Sequence, residues 1–453
     1  GGDWINDGSF TATAGTLITD GSILQEIRGT STTTFFDLTT INTSVDGVRI
    51  EGNVDLVNTL KLQANTNFDA DGASGSGVMR LLSNSTRTAR VAKVEAGATL
   101  NGNLTTAHTL TKGNVGWYYL GTPVKSQTVG DWMDDMLIQG VDTRLPGSYN
   151  NIRLYDEPTG TWTALTSASD IINPGQGVRV TLYSSNFSTG AMTYDNRGVP
   201  VVGNNSDQTN TGGTEEFSFN LSYTAGGGGD EGAGWNLIAN PYPGELSLDA
   251  SYWTFNNVNS FAYIWDGENF TYDMVDMNST SQSIASGQGF FVEVVGASPS
   301  LTVNENAKNA SNPTFFRKKA PENELQIYAL NKDGKEDVAY LRFYENATKG
   351  FDLHMDASKL DGGMFNVSTM MDHDKDLAFN ALPLLYDDDS VKIRFKGVKG
   401  DYAFTFDKLS SFNDKVAIYL KDKFLNQMVP VYDSFKYDFS ITEDTASQGE
   451  NRF

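Results

Sequence analysis

The sequence predicts an all-β protein, with an N-terminal parallel β-helix followed by β-sandwich domains. Three observations predict it. Short Thr- and Val-rich runs broken by Gly, Asn and Asp fill the segment up to residue 112. A set of aromatic and turn motifs then occurs twice. Through the remainder, apolar and polar residues alternate with period two, the pattern of strands with one wet face.

In the first segment, Gly29 to Leu62 carries Phe35-Phe36-Asp-Leu38, Val48-Arg-Ile50, Val54-Asp-Leu56-Val57 and Leu60-Lys-Leu62. A second pass from Gly77 carries Val78-Met-Arg-Leu-Leu82, Ala89-Arg-Val-Ala-Lys-Val94, Gly97-Ala-Thr-Leu100 and Gly102-Asn-Leu104. Thr and Val favour strands, and the intervening residues are turn formers. Strands this short and evenly spaced suit the stacked coils of a β-helix. A sandwich of very short strands is the competing arrangement; small-residue turns and Asn-rich corners favour the coils.

The repeated motif defines the middle of the chain. Gly116-Trp-Tyr-Tyr-Leu-Gly-Thr-Pro123, Asn151-Ile-Arg-Leu-Tyr-Asp156, Trp162 and Ile172-Asn-Pro-Gly-Gln-Gly-Val-Arg-Val180 come first. Gly234-Trp-Asn-Leu-Ile-Ala-Asn-Pro241, Phe261-Ala-Tyr-Ile-Trp-Asp266, Phe270 and Ile284-Ala-Ser-Gly-Gln-Gly-Phe-Phe-Val292 follow. The offsets are 118 residues from Gly116 to Gly234, 110 from Asp156 to Asp266 and 112 from Gln176 to Gln288. Motifs in one order with drifting offsets imply a duplicated unit with variable loops. What repeats is aromatic core, turn Gly and turn Pro, the vocabulary of a scaffold.

The expected division is a β-helix over 1–112, duplicated sandwich units over 113–213 and 214–315, and a C-terminal β-sandwich over 316–453. One helix is expected at Thr128 to Gln139, with Trp132, Met136 and Leu137 on a face. Gly203 to Gly213, Gly226 to Gly229 and Asn304 to Pro321 read as loops or linkers. In the last segment the alternating pairs are Leu325 and Ile327, Leu341 and Phe343, Ile393 and Phe395, Phe404 and Phe406, and Val416, Ile418 and Leu420.

Composition bounds the function. Among 453 residues, 33 Lys and Arg against 56 Asp and Glu leave a formal charge of −23, which repels phosphate backbones and anionic lipid. Nucleic-acid binding and membrane insertion are therefore not expected, and no run approaches the roughly 18 apolar residues of a spanning helix. Cysteine is absent, so disulfide and thiol chemistry are excluded. The opening Gly-Gly-Asp-Trp suggests a processed or partial product.

The opening Gly2-Asp-Trp-Ile-Asn-Asp-Gly-Ser-Phe10-Thr-Ala and the runs from Phe35 to Leu62 resemble the β-helical repeats of large secreted Bacteroidota proteins. Gly234-Trp-Asn-Leu-Ile-Ala-Asn-Pro-Tyr-Pro243 and Gly287-Gln-Gly-Phe-Phe-Val292 resemble the module that follows those repeats. Asp337-Val-Ala-Tyr-Leu-Arg-Phe343, Ala347-Thr-Lys-Gly-Phe-Asp352, Asp356-Ala-Ser-Lys-Leu360 and the closing Tyr437-Asp-Phe439 to Arg452-Phe453 resemble the β domain preceding a type IX sorting signal. The resemblance implies export as type IX secretion cargo to the cell surface or medium. Its partners would be the translocon and its outer-membrane shuttle protein. The role it implies is adhesive or structural, as in surface and gliding adhesins, and surface polysaccharide is a candidate ligand. The sorting domain itself is not within these residues.

Site chemistry is sparse in the sequence, so no catalytic residue and no cofactor is assigned, and the chain is read as a non-enzyme. His108, His354 and His373 lie in separate segments, which disfavours a triad or histidine metal site. Calcium is the one metal considered. Asp372, Asp374 and Asp376 alternate as in a calcium loop but lack its later Gly and Glu. Asp387 to Asp389, and Asp69 with Asp71, are further acidic turns. The Gly-rich stretches near Gly72 and Gly226 lack the Lys-Ser/Thr of a phosphate loop. Repeated aromatics read as core, whereas Tyr242 and Trp253, outside the strict repeat, are the candidate ligand-facing aromatics for sugar stacking. Asp389-Ser390-Val391 and Asp444-Thr445-Ala446 resemble the O-glycosylation acceptor of exported Bacteroidota proteins, marking Ser390 and Thr445. A carbohydrate-binding or carbohydrate-active secreted protein is the alternative reading.

Overall fold

The computed structural model describes residues 2–111, 116–142, 150–182, 191–203, 216–225, 234–266, 271–279, 282–308, 323–345, 347–352, 355–361, 363–370, 375–384, 390–412 and 417–453. These residues form strands joined by turns and single 3-10 turns, with no α-helix among them. They divide into two compact units, Gly1–Val258 with Ser279–Arg317, and Asn259–Asn278 with Lys318–Phe453.

The first unit opens as a β-solenoid of about 4 turns. One parallel sheet stacks Trp4–Ile5, Gln25–Arg28, Val48–Ile50, Asn67–Asp69 and Thr99–Asn101. The other stacks Phe10–Thr11, Thr33–Thr40, Asn53–Leu62, Val78–Leu81 and Leu104–Thr111. Trp4 lies beside Ile27, and Val48 beside Phe68, so like positions of successive coils form apolar columns. Phe35, Leu38, Leu56, Leu60, Met79 and Leu81 fill the same interior. Asn side chains close the corners: buried Asn42 donates to the Ile23 carbonyl at 2.8 Å and accepts the Ser44 amide at 2.7 Å. Parallel pairing between coils decides for the solenoid over the short-strand sandwich.

Leu104–Thr111 pairs antiparallel along its whole length with Ala191–Gly198, so the first repeat continues the solenoid sheet. That repeat packs an antiparallel sheet (Gly116–Leu120, Val178–Leu182, Ile152–Asp156, Thr161–Ala164) over Trp132, Met136, Met192 and Tyr194. The helix expected over Thr128 to Gln139 is a single 3-10 turn, Gly130–Trp132. Asp131 binds the Thr128 amide and hydroxyl at 2.8 and 2.7 Å, and the Gly130 amide turns outward to the Ala168 carbonyl at 2.8 Å. Beyond that turn the Met136 amide donates to the Trp132 carbonyl at 2.9 Å, and Trp132 and Met136 share one buried face.

The second unit is built on one sheet in the order Lys392–Gly397, Phe365–Met370, Asp376–Pro383, Glu336–Tyr344, Glu324–Asn331, Gly400–Asp407, Lys436–Ile441. Only Glu336–Tyr344 and Asp376–Pro383 run parallel in that path. The sheet curls until its end strands meet: the Phe395 and Phe439 rings lie 5.1 Å apart, and the Gly449 amide donates to the Phe395 carbonyl at 2.8 Å. Leu325, Ile327, Leu341, Phe343, Ile393, Phe395, Phe404, Phe406 and Leu420 face the enclosed core, as their alternation requires. Val416 lies outside the described residues. The hairpin of Phe261–Asp266 and Thr271–Asp276 belongs to this unit, with Phe261 against Phe379 and the Tyr263 hydroxyl on the Ser358 carbonyl at 3.0 Å. Residues of the second repeat thus fall in both units.

Candidate functional site

The repeated motifs build one antiparallel strand pair twice, in the same register. Gly116 faces Leu182 and Trp117 faces Thr181; in the second copy the Val294 amide donates to the Gly234 carbonyl and Trp235 faces Glu293. In each copy the central Gln closes its own turn. Gln176 Oε1 accepts the Asn173 amide at 3.2 Å, and Gln288 Oε1 accepts the Ala285 amide at 3.1 Å. The residue before each proline also acts alike: Thr122 Oγ1 accepts the Val124 amide at 3.1 Å, and Asn240 Oδ1 accepts the Tyr242 amide at 3.0 Å.

The two copies then exchange bonds reciprocally. The Gly121 amide donates to the Gly287 carbonyl at 2.7 Å, and the Ala239 amide donates to the Gly175 carbonyl at 3.0 Å. Gln176 bridges Ile238 as Gln288 bridges Leu120. Equivalent residues meeting in both directions is the pattern of an isologous interface between like subunits, here within one chain. Gly175 and Gly287 adopt φ of 77° and 66°, a region open to Gly.

Beside this junction lies a cleft of about 220 Å³. Strand alternation supplies part of its lining: Phe217 and Phe219 point into the core while Ser218, Asn220 and Ser222 line the cleft. Asn173 and Gln176 reach it from the first copy's turn, and Asn236 and Trp235 from the second copy's first strand. Asn236 holds its neighbour in place, accepting the Ser222 amide and donating to the Ser222 carbonyl, each at 2.9 Å. The corner Tyr155-Asp156-Glu157 completes the lining.

Glu157 is 3 % exposed and accepts from the Thr224 and Gly234 amides at 2.9 Å and from the Thr224 hydroxyl at 3.1 Å. It fixes the entry of the second copy to the corner of the first. Burial, then the neighbouring Glu157 and Asp156 charges, push the Tyr155 phenol up to about 12, so it stays a neutral donor at physiological pH. Sequence reasoning missed this place. Its one signal was Glu157 beside the repeated Asp156, where the second copy has Gly267 after Asp266.

The candidate ligand-facing aromatics are corrected: Tyr242 is 0 % and Trp253 6 % exposed. The Tyr242 hydroxyl donates to the Gly203 carbonyl at 3.0 Å, and its ring lies under the Lys308 ammonium. Lys308 is itself ion-paired to Glu305, which accepts the Val94 amide of the solenoid at 3.2 Å. Trp253 Nε1 donates to the Ser247 carbonyl at 2.9 Å, and the indole stacks on Phe219. Both residues lie outside the repeat because they anchor the second copy to its surroundings.

The other candidates fall as follows. Ser390 and Thr445 are exposed, and Asp444 caps the Thr445–Ser447 turn by accepting the Ala446 amide at 2.9 Å. Asp387 to Asp389, Asp372, Asp374, His354, His373, Phe270 and Gly226 to Gly229 lie outside the described residues. Asp376 pairs with Arg394 at 2.9 Å. Asp71 accepts the Asn103 amide and side chain at 2.9 and 2.8 Å, and Asp69 accepts the Gly72 amide at 3.1 Å. Among the described residues no group of three or more His, Asp or Glu is placed to hold a metal ion. His108 is buried against Tyr194, and desolvation lowers it to about 4, leaving a neutral imidazole.

A family model described as a domain of unknown function (DUF8693) matches residues 266–453. Its first residue falls in the hairpin that the structure assigns to the second unit. No curated protein and no solved structure matches the chain.

Proposed function

We propose that this chain is a non-catalytic protein of the cell surface or medium, carried out as type IX cargo and acting as an adhesive or structural element. The observation that carries the reading is the use made of the repeated motif. Its Gln, Gly, Asn and Thr residues are engaged in closing turns and joining the two copies. A motif engaged in this way is the signature of a scaffold that presents something else. A solenoid feeding directly into the first repeat suits an extended presenting element.

Secretion tests the proposal. Residues 1–453 are expressed in a Bacteroidota host with and without a C-terminal type IX sorting domain. Surface or extracellular delivery of the fusion alone is the expected result. Delivery of the bare chain, or cytoplasmic and periplasmic retention of the fusion, overturns the cargo reading.

A further inference from the structure

We propose that the cleft beside the repeat junction binds a neutral saccharide residue. The Gly, Gln, Asp and Trp positions of the duplication recur along the cleft, but two of its amide positions do not. Where Asn173 and Asn236 line the cleft, the equivalent positions carry Ala285 and Tyr118. Polar side chains were placed on one side of a duplicated frame.

The lining has the chemistry of hydroxyl recognition. Asn220, the Asn173 Oδ1 and the Gln176 Nε2 supply amide groups, Ser218 and Ser222 supply hydroxyls, and Asn236, spent on the backbone of Ser222 and Gly234, frames the cleft. Amides donate and accept together, which matches a ring of vicinal hydroxyls. Asp156 adds a carboxylate, Tyr155 adds aromatic surface, and among the described residues no Lys or Arg lines the cleft. An anionic ligand would therefore meet Asp156 and Glu157 with no countercharge, and the formal charge of −23 opposes acidic glycans at longer range. At about 220 Å³ the cleft lies below the roughly 300–1,000 Å³ of drug-sized pockets. It suits one sugar residue, such as a chain end or branch. The inference is independent of the export reading, because binding is measured on purified protein.

The experiment is saturation-transfer NMR on residues 1–453 with glucose, galactose, mannose, N-acetylglucosamine and their short oligomers at millimolar concentration. Affinity is then compared in Asn220→Ala and Asp156→Asn. Asn220 is exposed, so its variant keeps the fold even if the Asp156 variant does not. The expected result is binding of at least one neutral sugar, weakened about tenfold in Asn220→Ala at unchanged melting temperature. Absence of transfer from every sugar overturns the proposal. So does binding that Asn220→Ala leaves unchanged. Calcium binding that Asp156→Asn abolishes, without sugar binding, would make the place a cation site and also overturns it.

Discussion

Gly121 and Gly287 meet backbone to backbone, the amide of one donating to the carbonyl of the other at 2.7 Å. Their counterparts, Ala239 and Gly175, make the same bond at 3.0 Å. A side chain has no room here: a Cβ on Gly121 would sit 2.3 Å from the Ala239 Cβ. Gly121→Ala should therefore destabilise the first unit by about 1–3 kcal/mol through overpacking. Gly8→Ala, where nothing lies within 4 Å, should change little. Denaturant unfolding of both variants decides, and equal midpoints would remove the reciprocal junction from the account of stability.

Asn240 is fully buried and its side chain holds several backbone groups. It accepts the Tyr242 amide at 3.0 Å and donates to the Gly244 and Ala285 carbonyls at 2.9 and 3.0 Å. Asn240→Ala should cost about 3 kcal/mol, because an unsatisfied buried polar group costs roughly 1–3 kcal/mol. The shift in the urea midpoint of the first unit measures it. A loss under about 1 kcal/mol would mean water replaces the amide.

Trp235 is 4 % exposed and packs edge-on against Phe291. Trp235→Ala should remove about 3–5 kcal/mol, as for a buried large aromatic. Equilibrium denaturation followed by Tyr and Trp fluorescence reports it. A much smaller loss would place the indole in solvent.

Burial pushes the Glu245 carboxyl up to about 8, only partly offset by Arg90. A raised folded pKa means the native state holds a proton that the unfolded state releases from about pH 4.5 upward. This group's contribution is therefore full below that pH and is lost as pH rises toward 8. Glu245→Gln should raise the melting temperature at pH 8 to 9 and leave it unchanged at pH 4. A scan of melting temperature against pH tests the sign, and equal gains at both pH values would contradict it.

In the second unit Arg452 and Asp422 pair at 2.9 Å with side chains 1 % exposed, and the Tyr437 hydroxyl also donates to Asp422 at 3.0 Å. Asp422→Ala leaves a buried guanidinium and should cost about 3–5 kcal/mol. Thermal unfolding should show the loss confined to the second unit's transition. A shift confined to the first unit's transition would refute the assignment.

The sequence by itself determined the fold class and the duplication. Local physics is enough for these: turn residues between Ile50 and Val54, and between Leu62 and Phe68, shape the coils, alternation at Leu325, Ile327 and Ala329 sets one face inward, and Gly-Gln-Gly recurs as a closed turn. The tertiary structure decided what depends on distant partners. Nothing near Tyr242 in sequence tells that its hydroxyl meets Gly203 and its ring meets Lys308. Nothing near Glu157 tells that it binds Gly234. The helix read at Thr128 to Gln139 is one 3-10 turn for the same reason, since distant residues hold the segment: the Gly130 amide meets the Ala168 carbonyl, Asp135 accepts the Asp195 amide and the Asn151 side chain donates to the Leu137 carbonyl. Periodicity encodes which face is buried; which residue lies across that face is set by the packing of the whole chain.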